Sequence, residues 1–438
     1  MKASTFLGVV LASTATAQTC LTPTSRFNPQ MATGWTANLL INGLKAPRTM
    51  VFDQLGNMLV LEQGTGVKQI KFAAPGCDYV CAVSSQTVLT DPTLTHGLTL
   101  SPDGNTLFVS SVDMVYAHAY NASAGTTSAG QILIKNMANG GHSTRTLLIS
   151  KSNPDLLLVS RGSDGNIDPL AGNISTGHST IKYFRISEIM NTPTDHARGG
   201  THLGWGLRNS VGLGEHPITG GMWSVENSMD NVHQQDVDIH NTNPAEEVNY
   251  HGVLGQLSQN PLQGINYGYP FCVSAWDPST LRDSQVTVGQ QFYANIPDGY
   301  DVEAADRTCA QYFEAPRVVL PAHTAPLDIK FVADGSAAFV SLHGSWDRSP
   351  PDGYRVVRID FGADGQPTSS PLAGTQIMGN PDNTQCPGGC FRPTGLAFDS
   401  KGRLFMSSDA TGEIYLIMPL PGVANGFPGC TPRTGGHE

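Results

Sequence analysis

The stretch IKFVADGSAAFVSL (329–342) decides the fold: a β-rich run, an Asp-Gly turn and a second β-rich run. Asp-Gly supplies the positive-φ positions a tight hairpin needs, and the flanking Ile, Val and Phe suit a packed, pleated surface. The pattern recurs as MVFDQLGNMLVLEQ (50–63), LTLSPDGNTLFVSS (98–111), LLISKSNPDLLLVS (147–160) and LAFDSKGRLFMSS (396–408), with a weaker sixth copy in VGLGEHPITGGMWSVE (211–226). Six units across 438 residues allow roughly 70 residues each, the scale of a four-stranded blade with its loops. The expected fold class is therefore all-β, a six-bladed β-propeller with long loops on the face that carries the site. The interval from about 227 to 328 is rich in Asn, Gln, Pro and His and reads as those loops.

Composition narrows the function. With 39% apolar and only 14% charged residues, 48 Gly and 29 Pro, the chain is turn-rich and foldable rather than disordered. A net charge of −11 argues against gripping phosphate backbones, so no nucleic-acid partner is expected. No apolar run reaches the ~18 to 20 residues of a membrane helix, so no membrane partner is expected either. Lys2, the apolar run from Phe6 to Ala12 and the small residues Ala15-Thr16-Ala17 read as a signal peptide over 1–17, leaving 18–438 as one secreted propeller domain. Eight cysteines and the sequons at Asn121 and Asn173 fit an extracellular glycoprotein.

Cys77 and Cys81, and likewise Cys386 and Cys390, are close enough to staple local loops, while Cys272 and Cys309 flank the long insertion. Cys20 and Cys430 are left; if they pair, the two chain ends meet, as a closed ring would need. No haem-attachment or zinc spacing is present, which favours structural disulfides.

Nucleophile elbows, zinc-protease helices, P-loops and dinucleotide-binding glycine motifs are absent. What remains is a set of His and Arg residues beside the repeated hairpins: Arg48, His142, Arg208, His323, His343 and Arg392. Propeller loops aim such residues at the central axis, so they can converge from distant parts of the sequence.

In the phrases APRTMVFD (46–53), GGHSTRTLLIS (140–150), GWGLRNSVGL (204–213), EEVNYHG with INYGYPFC (246–272), FVSLHGSWDR (339–348) and FRPTGLAFD (391–399), the chain resembles the soluble quinoprotein glucose/sorbosone dehydrogenases. It is most similar to the secreted fungal pyranose dehydrogenases that use pyrroloquinoline quinone (PQQ). The resemblance implies His142 as general base toward a sugar hydroxyl, a task suited to an imidazole. It implies Arg208 and Asn209 on the quinone oxygens, with Arg208 stabilising the charge that grows there. Arg48, His343 and Arg392 fall where the family presents cofactor-binding groups. Arg48 does so only in the pyranose branch, and His343 replaces a Lys of some glucose enzymes. PQQ carries three carboxylates, for which guanidinium groups are apt partners. A calcium ion (Ca2+) completes the family site, and the matching loop SVENSMDN (224–231) puts Ser228 and Met229 forward as its carbonyl donors.

Other residues carry less. Asp230 could support the calcium loop or ligate directly, with a solvated carboxylate the favoured reading, and His323 divides evenly between facing substrate and packing. Trp223 and Trp346 lie near the expected site and could stack on sugar or quinone, although a Trp in a blade is more often core. The resemblance implies oxidation at C1 of a pyranose of the L-fucose or 2-keto-glucose type to a lactone. Electrons would pass to an external acceptor such as a secreted copper oxygenase or a cytochrome. Two rival classes stand beside this: a calcium-dependent lactone hydrolase on the same propeller, and a non-catalytic propeller that binds sugar or protein.

Overall fold

The computed structural model describes residues 19–73, 80–255 and 260–420. The expected signal peptide, Cys77 and Cys430 lie outside these residues. Among the described residues six sheets have four principal strands each and are arranged as a six-bladed propeller, and two further two-stranded sheets lie in the long insertion. Blade 1 covers 47–90, blade 2 covers 94–135, blade 3 covers 147–205, blade 4 covers 210–320 and blade 5 covers 326–379. Blade 6 combines Pro393–Phe398, Leu404–Ser408 and Glu413–Pro419 with Trp35–Ile41 from the other end of the chain. Every repeated hairpin of the sequence is the first pair of strands of one blade.

Two-residue periodicity explains why the ring closes. Successive side chains of a strand point to opposite faces, so a strand buried on both sides feeds two inter-blade cores. In Met58–Glu62, Met58 and Val60 pack toward blade 6 while Leu59 and Leu61 pack toward blade 2. In Leu156–Arg161, Leu157 and Val159 face blade 2, and Leu156 and Leu158 face blade 4. Trp223 and Val225 face blade 5, whereas Met222 faces blade 3. Each buried Leu or Val contributes about 1.5–3 kcal/mol, and the alternation distributes that gain around the circle.

The seam is made by register: Trp35 opposes Pro419 and Ile41 opposes Ile414 in an antiparallel pair. Just before it, Gln30–Met31 adds an edge strand to blade 5, opposite Gly379 and Met378. The disulfide expectation is corrected here. Cys20 bridges Cys81, not Cys430, and Cys81 is therefore not stapled to Cys77. The cause is spatial: the N-terminal segment runs along the outermost strand of blade 1, where the Leu21 amide donates to the Ala82 carbonyl at 2.8 Å. Cys272–Cys309 and Cys386–Cys390 form as expected.

The 227–328 insertion is more ordered than its composition indicates. It contains two strands of blade 4, Glu246–Val253 and Val318–Leu320. It also holds the helix Val302–Tyr312, whose N-cap Asp301 accepts from the Ala304 amide at 2.9 Å. Asn121 and Asn173 are exposed. No helix among the described residues is long and apolar enough to cross a membrane.

Candidate functional site

The chemistry-bearing side chains come from two recurrent places. One is the connection that enters a blade's first strand, which supplies His142, Arg208, His323 and Arg392. The other is the loop that leaves a blade's second strand, which supplies Ser163, Asn227 to Asp230, His343 to Asp347, and Asp409. Both open on the same face of a propeller. There, His142, Arg208, Asn209, Ser228, Asp230, His323, His343, Trp346 and Arg392 line one cavity of about 310 Å³.

His142 has a defined tautomer. Its Nδ1 lies 2.9 Å from Ser163 Oγ and 3.2 Å from the Ser163 carbonyl oxygen. Ser163 Oγ already donates its proton to the Gly165 carbonyl at 2.6 Å, and a carbonyl only accepts. Nδ1 must therefore carry hydrogen, which leaves the lone pair on Nε2. Burial first, and then the nearby Arg208 guanidinium, lower the pKa of the ring to about 4, so it is neutral at physiological pH. The loop carrying it is braced by the buried Arg145, whose Nη1 donates to the carbonyls of His142 and Thr144, both at 2.7 Å, and whose Nη2 reaches Met137 O at 2.7 Å.

Arg208 is locked. Its Nε donates to Asn166 O at 3.1 Å, Nη1 to Asn227 O at 3.2 Å, and Nη2 to Asn166 Oδ1 at 3.0 Å and Asp230 Oδ2 at 2.6 Å. Asp230 is thus not the solvated carboxylate of the sequence expectation. Burial favours its neutral form, but His323 and Arg208 outweigh this and hold its pKa below the usual range.

Across the axis, Asp409 ties two expected cofactor residues together. Its Oδ2 accepts from Arg48 Nη1 at 2.6 Å, and its Oδ1 stands 2.8 Å from His343 Nε2. Arg48 Nε also donates to His96 Nδ1 at 3.2 Å. Arg48 is not part of the cavity lining itself; it joins the site through Asp409. Burial would raise the Asp409 pKa, yet His343 and Arg48 drive it well below the ordinary carboxylate range. Burial lowers the His343 pKa, with Asp409 opposing. Arg392 Nε and Nη2 donate to His343 O at 3.1 Å and Gly344 O at 2.9 Å, and the guanidinium lies 5.6 Å from the Tyr354 ring centroid.

Ser228 lines the cavity, whereas the Met229 side chain is buried in the apolar packing of the insertion. Among the described residues no group donates to the carbonyl oxygen of either. Glu246 clamps this loop to the next: its Oε2 accepts from the Ser228 amide at 2.7 Å and its Oε1 from the Ala325 amide at 2.9 Å. Asp230, His323 and Asp347 bring ligand atoms within 4.8 Å of one another, a grouping able to hold a metal. Here they are already engaged: His323 Nε2 lies 2.6 Å from His240 O, and Asp347 Oδ2 accepts from the Asn231 amide at 2.7 Å. His323 adopts φ 59°, a left-handed backbone costly for a side chain of its size. The two tryptophans separate: Trp223 is fully buried core, while Trp346 is 69% exposed at the cavity.

The family described as TrAA12-like matches residues 29–419. A Hypocrea jecorina protein named pyrroloquinoline quinone-dependent sugar dehydrogenase is 43% identical over 96% of this chain and 97% of its own length. A Coprinopsis cinerea pyrroloquinoline quinone-dependent pyranose dehydrogenase is 36% identical over 91% of this chain, which spans 56% of that longer protein. A solved structure of a Trichoderma reesei protein of Carbohydrate-Active Enzymes Family AA12 superposes with a TM-score of 0.86 at 44% identity, covering 91% of this chain and all of that one (100%).

Proposed function

The chain belongs to the TrAA12-like family, and on that premise we propose that it is a secreted, PQQ- and calcium-dependent pyranose dehydrogenase that oxidises C1 of a sugar to the lactone. The observation that carries this is the gathering of Arg208, Arg392, His343 and His142 on one axial cavity, with Arg48 joined through Asp409, in a chain of net charge −11. The Arg208, Arg392 and Arg48 guanidiniums, collected against the overall charge and joined by two uncharged imidazoles able to hydrogen-bond, fit an anionic tricarboxylate.

Arg392 would hold a cofactor carboxylate from the cavity wall, and Arg48, set behind the wall on Asp409, would meet one that reaches past the lining, for each keeps guanidinium N–H groups uncommitted among the described residues. His343 would add a contact on the same side, and Arg208 with Asn209 would face the quinone oxygens. The carbonyls of Ser228 and Met229, free of internal donors, supply the hard oxygen ligands that calcium prefers. When bound, PQQ supplies a two-electron acceptor for the hydride leaving C1, and calcium polarises its carbonyl. His142 removes the C1 hydroxyl proton at Nε2. Arg208, fixed in place, presents positive charge without reorganising. Trp346 offers an apolar face at the mouth of the cavity for the pyranose ring. A sugar of the L-fucose or 2-keto-glucose type is the proposed substrate, with electrons leaving to an external acceptor.

Metal-stripped protein should reduce a dye with an aldose only after both PQQ and calcium are added. Absence of PQQ binding under those conditions overturns the assignment. In the reconstituted enzyme kcat/KM should fall as pH drops and His142 takes a proton. That limb should lie between about 4, the value for the ring in this structure, and the ordinary imidazole value of roughly 6.5, because a bound anion raises it.

A further inference from the structure

Between His142 and Arg208 runs the loop that leaves the second strand of blade 3, and it touches both. The His142 amide donates to Ser163 O at 3.1 Å, and the Ser163 amide donates to Arg208 O at 2.8 Å. Ser163 Oγ and O face His142 Nδ1. Three residues on, Asn166 accepts from Arg208 twice, through O and Oδ1. Its Oδ1 also accepts from the Asp230 amide at 2.8 Å, and its Nδ2 donates to Asp230 O at 2.7 Å. The loop is itself pinned. Asp168 Oδ2 accepts from the Asp164 amide at 2.7 Å and stands 2.6 Å from His178 Nδ1. Tyr269 Oη accepts from the Asp168 amide at 2.7 Å and donates to Asn166 O at 3.0 Å.

We propose that residues 163–166 are a positioning element for the reaction: Ser163 fixes the proton on His142 Nδ1 so that Nε2 is the base, and Asn166 fixes the plane of the Arg208 guanidinium. The inference rests on the dehydrogenase assignment above and names two residues that act through others. Ser163 is fully buried and its proton is committed to Gly165 O, so it is no nucleophile for the rival hydrolase. As His142 becomes imidazolium, its Nδ1–H bond to Ser163 becomes charge-assisted and strengthens. The charged groups acting on the ring are Arg208, Asp230 and Arg145. Ser163 contributes an acceptor without adding charge.

The full chain, loaded with PQQ and calcium, provides the test. Ser163→Ala should lower kcat about 10- to 100-fold, the worth of one hydrogen bond to a charged group. It should also move the acid limb of kcat/KM to lower pH, since the imidazolium loses an acceptor. PQQ affinity should stay within a few-fold. Asn166→Ala should lower kcat about 10-fold with the limb unmoved and the sugar KM little changed. Both variants keep the backbone carbonyls that face His142 and Arg208, so unchanged kcat and an unmoved limb in Ser163→Ala overturn the role of the Ser163 hydroxyl, and unchanged kcat in Asn166→Ala overturns that of the Asn166 side-chain amide. A second measurement needs neither variant nor cofactor: ¹⁵N shifts of the wild-type histidines should give His142 as the Nδ1–H tautomer at neutral pH. The Nε2–H tautomer overturns the proposal. A wild-type chain inert with PQQ would instead remove the dehydrogenase assignment while leaving the tautomer result standing.

Discussion

Arg208 stands across the propeller axis from Arg48 and Arg392, and the three are held very differently. A guanidinium has five N–H groups. Arg208 spends four of them on Asn166, Asn227 and Asp230. Arg48 spends two, on His96 and Asp409, and Arg392 spends two, on His343 O and Gly344 O. One side of the cavity is therefore finished before any ligand arrives, and the other keeps its donors in reserve. A group fixed in advance is suited to stabilising charge that appears only during reaction. Groups with spare donors are suited to binding charge already present on a cofactor.

The sharpest way to break this comparison is Arg208→Gln. It should cut kcat by about 10²- to 10³-fold, as loss of a preorganised donor does, while PQQ affinity changes little. The variant also leaves Asp230 partly buried without its cation, so a clear loss of stability in chemical denaturation should accompany it. If PQQ binding collapsed while kcat at saturation held, the two sides would have exchanged roles.

Arg48→Gln and Arg392→Gln should give the mirror image, each weakening PQQ binding about 10- to 100-fold in calorimetric titration with kcat at saturating PQQ within a few-fold. The Arg48 side can also be disturbed from below. A Cβ built on Gly395 would sit 2.2 Å from the Arg48 carbonyl, too close for any real contact, and Ser407 Oγ donates to that same carbonyl at 2.8 Å. Gly395→Ala should therefore cost about 1–3 kcal/mol in stability and weaken PQQ binding by shifting Arg48, while the pH profile set by His142 stays in place. An unchanged affinity would mean that the position of Arg48 is not set by its own backbone.

The split between legible and hidden residues follows physical lines. The hairpins could be read because turn chemistry and two-residue alternation are local, and each copy supported the others. His142, Arg208 and Arg392 were legible as charged or imidazole groups next to those hairpins. Asp409, Ser163 and Asn166 were hidden because their roles consist of partners far away in sequence. A signal was nonetheless present: MSSD (406–409), SRGSDGN (160–166), SLHGSWD (341–347) and SVENSMD (224–230) all leave the second strand of a blade as polar loops. Aligning the copies one loop further would have brought them to the axis together. The Cys20–Cys81 bridge was hidden for the same reason, since short sequence spacing pointed to Cys77 while the N-terminal segment lies against blade 1. The helix Val302–Tyr312 was masked by the polar composition around it, although Asp301 marks its start.

The smallest expected effect belongs to neither arginine group but to the rim they share. Trp346 is 69% exposed, yet its neighbours are held. The Ser345 amide donates to Asp352 O at 2.9 Å, the Asp352 amide returns a bond to Ser345 Oγ at 3.0 Å, and Asp347 Oδ2 accepts from the Asn231 amide at 2.7 Å. A large apolar ring kept in water on a rigid loop is not there to stabilise the fold, so Trp346→Ala should leave unfolding within about 0.5 kcal/mol of wild type. Loss of an aromatic face worth about 0.5–1.5 kcal/mol should raise the sugar KM roughly 2- to 10-fold, leaving PQQ affinity and the acid limb unchanged. Should PQQ affinity fall instead, the indole would belong with Arg48 and Arg392 as a cofactor contact, and the sugar would have to find its apolar surface elsewhere on the rim.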